Sequence, residues 1–203
     1  MKKKLLTAIF VFSLWGNMQA QDAPHGYPYS PVPFTSVKVT DSFWGQRLKA
    51  SREVTIPLAF SKCEESGRYE NFVKAAHPSE NYKVEALPFD DTDVYKTIEG
   101  ASYLLQTYPD KKLKSYIDSV LAIVAAAQEP DGYLYTSRTM NPKHPHAWSG
   151  SRRWEKVEDL SHEFYNLGHM VEGAVAHCHR ALPSHGKTEL SGYCHPLCRL
   201  RVS

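Results

Sequence analysis

Two runs of apolar residues recur at spacings of three and four, and a single Pro-Asp pair separates them. The first is Val94, Ile98, Ala101, Leu104 and Leu105; the second is Leu113, Tyr116, Ile117, Val120, Leu121 and Val124. That spacing is the period of a helix buried on one face, not the alternation of a strand. Pro109 ends the first helix, which begins near Thr92, and Asp110 caps the second, so the two form an antiparallel hairpin. Upstream, Asp41 caps a helix that starts near Ser42 and runs through Trp44, Leu48 and Val54; Pro57 kinks or splits it, and Gly67 is a stop signal. Downstream, Pro130-Asp131-Gly132 is a turn and Tyr133-Leu134-Tyr135-Thr136 reads as a short β-like stretch. Residues 137–158 are polar and irregular, a long loop of the kind that often carries function, and a last helix runs from about Leu160 to His179. With almost no strand pattern, the fold class is all-α, built of antiparallel helical hairpins.

The N-terminus has a different character. Lys2, Lys3 and Lys4 precede an apolar stretch from Leu5 to Trp15, and Ala20 follows as a small residue at a cleavage position. This is the layout of a secretory signal peptide over residues 1–20; the apolar run is too short to span a bilayer. The expectation is an exported protein, periplasmic or extracellular, with no stable membrane span after cleavage. Residues 21–40 hold Pro24, Pro28, Pro31 and Pro33 and read as an extended segment, with Val37 and Val39 adding a short strand. The formal charge of +2 includes the three lysines of the leader, so the remaining chain is near neutral and has no basic stripe for a phosphate backbone. Nucleic acid is excluded as a partner on that ground.

The last helix carries two faces on a wheel of 100° per residue. Leu160, Phe164, Leu167, Val171, Ala174, Val175 and Cys178 share one side; His162, Tyr165, Asn166, His169 and Glu172 lie on the other. The second face has no lysine or arginine and offers imidazole, phenol, amide and carboxylate groups, which suit hydrogen bonds to hydroxyls in a cleft. A solvated, histidine-rich surface is the competing reading. His162-Glu163 begins like a zinc-protease helix, but Asn166 stands where the second histidine belongs. Asp90, Asp91 and Asp93 have no EF-hand pattern after them, and helix capping is their expected role. Cys178, Cys194 and Cys198, with nearby histidines, match no standard zinc spacing, and Cys63 stands alone.

Several stretches taken together resemble the β-L-arabinofuranosidase family of glycoside hydrolases (family 127). They are Asp41-Ser42-Phe43-Trp44-Gly45-Gln46-Arg47, Val54-Thr55-Ile56-Pro57, Gly67-Arg68 with Asn71-Phe72, and Asp90-Asp91-Thr92-Asp93-Val94-Tyr95-Lys96 continuing into Ile98-Glu99-Gly100-Ala101. Ala125-Ala126-Ala127-Gln128, Pro130 to Thr136, and His162-Glu163-Phe164-Tyr165 with Gly168-His169 complete the series. The resemblance implies an (α/α)6 barrel, of which this chain supplies a truncated part, and retaining hydrolysis of plant-derived glycans by a cysteine nucleophile. It also implies a zinc ion bound to that thiolate, to other cysteines and to a glutamate, with a separate glutamate as the acid. All of these are expected beyond residue 203, so no catalytic residue and no metal ligand is assigned, and the fragment is expected to be inactive. The resemblance places His162 in the sugar pocket. Tyr165 and His169 join it as substrate-binding candidates from the wheel alone.

The resemblance stops near His177. A set of codons compatible with residues 180–203, read one nucleotide later, spells an amphipathic continuation of the family type. The expected organisation is therefore a signal peptide (1–20), an extended segment (21–40), a partial helical catalytic domain (41–180) and an aberrant, frameshifted tail (181–203). That tail places Pro183, Gly186, Gly192 and Pro196 among its few leucines, so no regular helix is expected there. Two alternatives differ in class: a non-catalytic helical carbohydrate-binding or scaffold protein, and a complete small enzyme using His162 and Glu163. Export is checked directly: N-terminal sequencing of the mature protein should begin near Gln21, and extracellular material that retains Met1 would refute the leader.

Overall fold

The computed structural model describes residue 32, residues 34–85 and residues 87–181. The leader, most of the proline-rich segment and the tail beyond residue 181 lie outside the described residues, and with them the expectations about cleavage, tail order and tail cysteines. The chain divides into two compact units, residues 1–37 and 38–203. In the first, the described structure is a 3-10 turn at Phe34–Ser36. Val39 is exposed and without regular structure, so the strand expected around it does not form; among the described residues there is no strand for it to pair with, and a lone strand has no ladder to join.

The second unit is helical: α1 (Ser42–Ala50), α2 (Ile56–Glu65), α3 (Arg68–Ala76), α4 (Asp91–Thr107), α5 (Lys111–Ala126), a single turn α6 (Thr136–Thr139) and α7 (Glu163–Ala181). Asp41 caps α1 as expected, its Oδ1 accepting from the Trp44 N–H at 2.7 Å. A π-helical turn, Ser51–Thr55, joins α1 to α2, and the Ile56 N–H reaches back to the Ser51 carbonyl. Pro57 causes it: a ring with no N–H cannot continue the ordinary ladder and collides with the preceding turn, so the helix widens instead of breaking.

Gly67, at φ 77°, ends α2 in the left-handed conformation that glycine adopts without penalty. The chain then turns directly into α3, a helix the sequence reading passed over. Its signal was present but short: Tyr69, Phe72, Ala75 and Ala76 lie at helical spacing over nine residues. Phe72 is fully buried, and burying such a side chain contributes roughly 1.5–3 kcal/mol, more than the modest propensity of so short a helix.

The α4–α5 hairpin matches the expected pattern, with Asp110 Oδ1 accepting from the Lys112 and Leu113 N–H groups. Val94, Ile98, Ala101, Ile117, Val120, Leu121 and Val124 form the core with Phe60, Phe72, Met140 and Met170. Helix α7 makes its most extensive contact with α4. Asn166 bonds to the Pro88 carbonyl, and Gln106 bonds to the Ala176 carbonyl. The paired positions rise together, so α4 and α7 run parallel and begin at the same end of the unit. Their seam is close because Gly173 has no side chain: a Cβ there would lie 3.0 Å from the Tyr95 carbonyl oxygen.

The buried line of α7 includes Glu163, Asn166, Met170, Gly173 and His177. The apolar stripe read from the wheel is divided: Ala174 and Cys178 are buried and Leu167 partly so, whereas Leu160, Phe164, Val171 and Val175 are exposed, Phe164 at 59%. Small and polar residues allow the close approach to α4. The β-like stretch expected at Tyr133-Leu134-Tyr135-Thr136 is not a strand: residues 133–135 have no regular structure, Tyr135 is extended, and Thr136 opens α6, its N–H and hydroxyl bonded to Asp91 and not to a neighbouring strand. Among the described residues no helix is long and apolar enough to cross a membrane.

The seam makes a paired prediction. Gly173→Leu should destabilise the unit by about 1–3 kcal/mol, since overpacking must push α7 off a rigid backbone. Gly168→Ala, at an exposed position with open space around the added carbon, should stabilise it by about 0.5–1 kcal/mol. Urea unfolding of both variants checks the opposite signs.

Candidate functional site

The first turns of α4 and α7 lie side by side, and the connection from α5 to α7, residues 127–162, closes over that end. It is long but well fastened. Asp91, fully buried, accepts from the Thr136 N–H at 2.9 Å and its hydroxyl at 2.6 Å. Buried Arg138 donates to the carbonyls of Ser149, Gly150, Ser151 and Arg152. Asn141 Nδ2 donates to the carbonyls of Glu80 and Tyr82. Arg153 pairs with Glu129 and Asp131.

The three aspartates at the start of α4 do not act as expected. Asp90, at the cap position, makes no side-chain cap bond. Asp90 and Asp93 pair with Arg68, at 3.3 and 2.6 Å, and Asp91 holds the connection. Helix capping is thus displaced by tertiary partners. Burial pushes Asp91 up to about 6, against the opposing pull of its bonds from Thr136.

Glu163 is buried and accepts from the Tyr133 hydroxyl at 2.7 Å and from the Trp154 N–H at 3.0 and 3.1 Å. Burial, with the Glu163 bond next, raises Tyr133 far above the ordinary phenol range, so the hydroxyl stays a donor. Trp154 has φ 65° and stacks on Phe164, ring centres 5.1 Å apart and planes at 19°. Both carboxylate oxygens of Glu163 are thereby turned into the connection. His162 and Glu163, the pair of the small-enzyme reading, serve different surroundings: Glu163 accepts from Tyr133 and Trp154, and the His162 ring faces Leu160 and Phe89.

His162 stands just before α7, not within it, at φ 58°. Its Nδ1 is 2.6 Å from the Leu160 carbonyl, and its ring packs against Phe89 with centres 4.9 Å apart. Tyr165 follows at 6.0 Å from the His162 ring, and His169 at 4.5 Å from the Tyr165 ring. The three residues expected to bind substrate therefore do form one row. Asn166, placed on the same face by the wheel, turns inward instead and is fully buried.

Helix α4 adds two groups that the sequence reading missed. Lys96 Nζ donates to the Tyr165 hydroxyl and lies 4.6 Å from its ring centre. Glu99, His169 and Glu172 bring their ligand atoms within 4.8 Å of one another. His169 Nδ1 is 3.0 Å from Glu172. Lys96 and Glu99 were visible only as the polar side of an amphipathic helix; the parallel pairing with α7 decides which row they join. Two open clefts, of about 500 and 550 Å³, lie elsewhere; their charged groups Arg153 and Arg68 are already paired, which leaves the His162 row as the better site.

Comparison with known proteins bears on this arrangement. Residues 36–184 match the family model of the β-L-arabinofuranosidase GH127 catalytic domain. The chain belongs to the GH127 family. It is 30% identical to a non-reducing end β-L-arabinofuranosidase of Bifidobacterium longum subsp. longum, over 70% of this chain and 24% of the relative. A solved GH127 β-arabinofuranosidase, BT3674, superposes with a TM-score of 0.75 at 83% identity, covering 77% of this chain and 25% of that one. A GH127 β-L-arabinofuranosidase from Geobacillus stearothermophilus T6 gives a TM-score of 0.62 at 31% identity, covering 81% and 24%. The chain thus spans about a quarter of the length of these GH127 relatives, and its helices are part of their α/α barrel.

The zinc that the family resemblance implies needs thiolates. Among the described residues, Cys63 is buried in α2 with its thiol pushed up by burial, against a bond from Thr97, and belongs to no group of metal donors; Cys178, buried in α7, is disulfide-bonded and offers no thiolate. The Glu99, His169 and Glu172 group contains no sulfur. These residues do not fit a cysteine-bound zinc, and no chemical step is routed through one.

The Asp91 environment sets a pH dependence. Below the ordinary carboxylate value of about 4 both folded and unfolded chains hold the proton; between there and about 6 only the folded chain does. Stability attributable to Asp91 therefore falls as pH rises through that window, by up to about 3 kcal/mol, and is level above it. Asp91→Asn should flatten this fall, measured as the wild-type minus variant difference in unfolding free energy across the same window; a difference that does not change with pH would refute the assignment.

Proposed function

We propose that the row of His162, Tyr165 and His169, with Lys96 beside it, is one wall of a carbohydrate pocket in a β-L-arabinofuranosidase-type glycoside hydrolase acting on plant-derived glycans. The observation that carries the reading is the state of His162. A carbonyl oxygen only accepts, so the Nδ1 facing Leu160 carries the proton, and in the neutral ring Nε2 is left as an acceptor. Tyr165 and Lys96 add hydroxyl and ammonium groups in reach of neighbouring hydroxyls, and Phe89 supplies an apolar surface under the imidazole. This wall binds and orients; it assembles no nucleophile and acid pair. Turnover by this chain alone is therefore not expected, and the zinc of the family reaction enters only as part of the proposal for a whole enzyme. A helical carbohydrate-binding protein without catalysis rests on the same observation. Export to the periplasm or beyond, from the cationic and apolar start of the chain, belongs to the same proposal.

The purified chain should release no arabinose from a β-L-arabinofuranoside, with or without added zinc. It should bind L-arabinose weakly, and His162→Ala should lower that affinity about tenfold, the loss of one hydrogen bond in a polar pocket. Calorimetry and a reducing-sugar assay check both. Turnover that disappears in His162→Ala would favour local catalysis; binding indifferent to His162→Ala would move the pocket elsewhere.

A further inference from the structure

We infer that Asn166 is a positioning residue that locks His162 as the Nδ1–H tautomer, so that the ligand group met by Nε2 is a hydroxyl donor and not a carboxylate; the ligand half of this inference rests on the pocket reading above. His162 is a non-glycine residue in the left-handed region, a conformation that persists only where its surroundings over-determine it. The surroundings are specific. Asn166 Nδ2 donates to the His162 carbonyl at 2.7 Å and to the Pro88 carbonyl at 3.0 Å. The Asn166 N–H also reaches the His162 carbonyl, at 2.9 Å. One side chain thus ties the residue before α7 to the segment before α4.

The orientation of the amide follows from its partners. Both are carbonyl oxygens, so the nitrogen must face them. The consequence is that Asn166 Oδ1 is buried without a hydrogen-bond partner. A leucine of similar size would spare the stranded Oδ1 but leave the buried Pro88 carbonyl without its donor, so the amide is explained by its two bonds to carbonyls and not by filling space. Those two bonds form the clamp. With the His162 backbone held, its ring lies between Phe89 and Tyr165, and Nδ1 meets the carbonyl of Leu160, two residues back. Release of the clamp frees the backbone to leave its strained conformation, and the Nδ1 bond goes with it.

The test uses the full chain labelled with 15N histidine and long-range nitrogen–proton correlation spectra, with His162→Gln to assign the signal. In the unsubstituted chain, which needs no variant to fold, the His162 Nε2 should show the unprotonated position and Nδ1 the protonated one. Asn166→Ala should shift His162 toward the Nε2–H form. Asn166→Ser, whose hydroxyl can bond back to the carbonyl four residues earlier, should restore the original tautomer. A wild-type His162 found mainly as Nε2–H, or a tautomer ratio that Asn166→Ala leaves unchanged, overturns the inference. Titration with L-arabinose and with galacturonate separates the two levels. A shift of Nε2 with the neutral sugar alone supports the acceptor role, and a shift with the acid alone overturns it. No shift with either refutes the pocket reading and the ligand half of the inference, while the tautomer result still decides the clamp.

Discussion

The seam between α4 and α7 is the constraint on which the rest of the unit depends. Gly173 lets one helix approach the backbone of the other at Tyr95, and the small and polar line of α7 follows that approach. Because the two helices are parallel, the chain must return the full length of α5 and cross to the start of α7. The connection of residues 127–162 does this, and it necessarily lies over the end where both helices begin. The candidate site sits there because parallel packing puts it there: His162 ends the connection, and the Pro88 carbonyl and Phe89 precede α4.

Buried polar groups hold that connection, and their partners are mostly backbone. The terminal nitrogens of Arg138 donate to carbonyls while its buried Nε has no hydrogen-bond partner among the described residues, Glu163 accepts from a phenol and an N–H, and Asp91 from a hydroxyl and an N–H. None of these three has an opposite charge as its partner in those bonds. A buried charge without hydrogen bonds would be costly, so each bond to the backbone removes that penalty and fixes one point of an irregular chain. This explains why the most conspicuous acidic and basic residues of the connection are structural, while the open row is made of histidines, a tyrosine and a lysine.

Helix α7 is covered on one side only among the described residues. Phe164, Val171 and Val175 remain exposed, and Trp154 stacks over the first of them. A helix of an α/α barrel has neighbours on more than one side, and the chain spans about a quarter of its GH127 relatives. The apolar side read from the wheel of α7 is thus split, with Ala174 and Cys178 buried and Phe164, Val171 and Val175 exposed. The apolar stripe is the wider and stickier surface, but the seam is decided by how closely backbones can approach, which favours Gly173 and the line around it.

The sequence by itself determined the helices wherever local chemistry suffices. The caps at Asp41 and Asp110, the interruption at Pro57, the stop at Gly67 and the periodic faces of α4 and α5 all follow from neighbours within a few residues. So does the candidacy of Tyr165 and His169, which share a face with His162 at helical spacing; His162 itself came from the family resemblance. What lay beyond it depends on residues far apart in the chain: Asp91 spent on Thr136 and not on a cap, Glu163 turned into the connection, Asn166 turned inward, Lys96 and Glu99 drawn to the row. Each is a polar side chain with several possible partners, and periodicity says nothing about which is in reach. Only the parallel docking of α7 on α4 chose among them, because burial makes an unpaired polar group costly and the nearest satisfying partner is set by tertiary geometry.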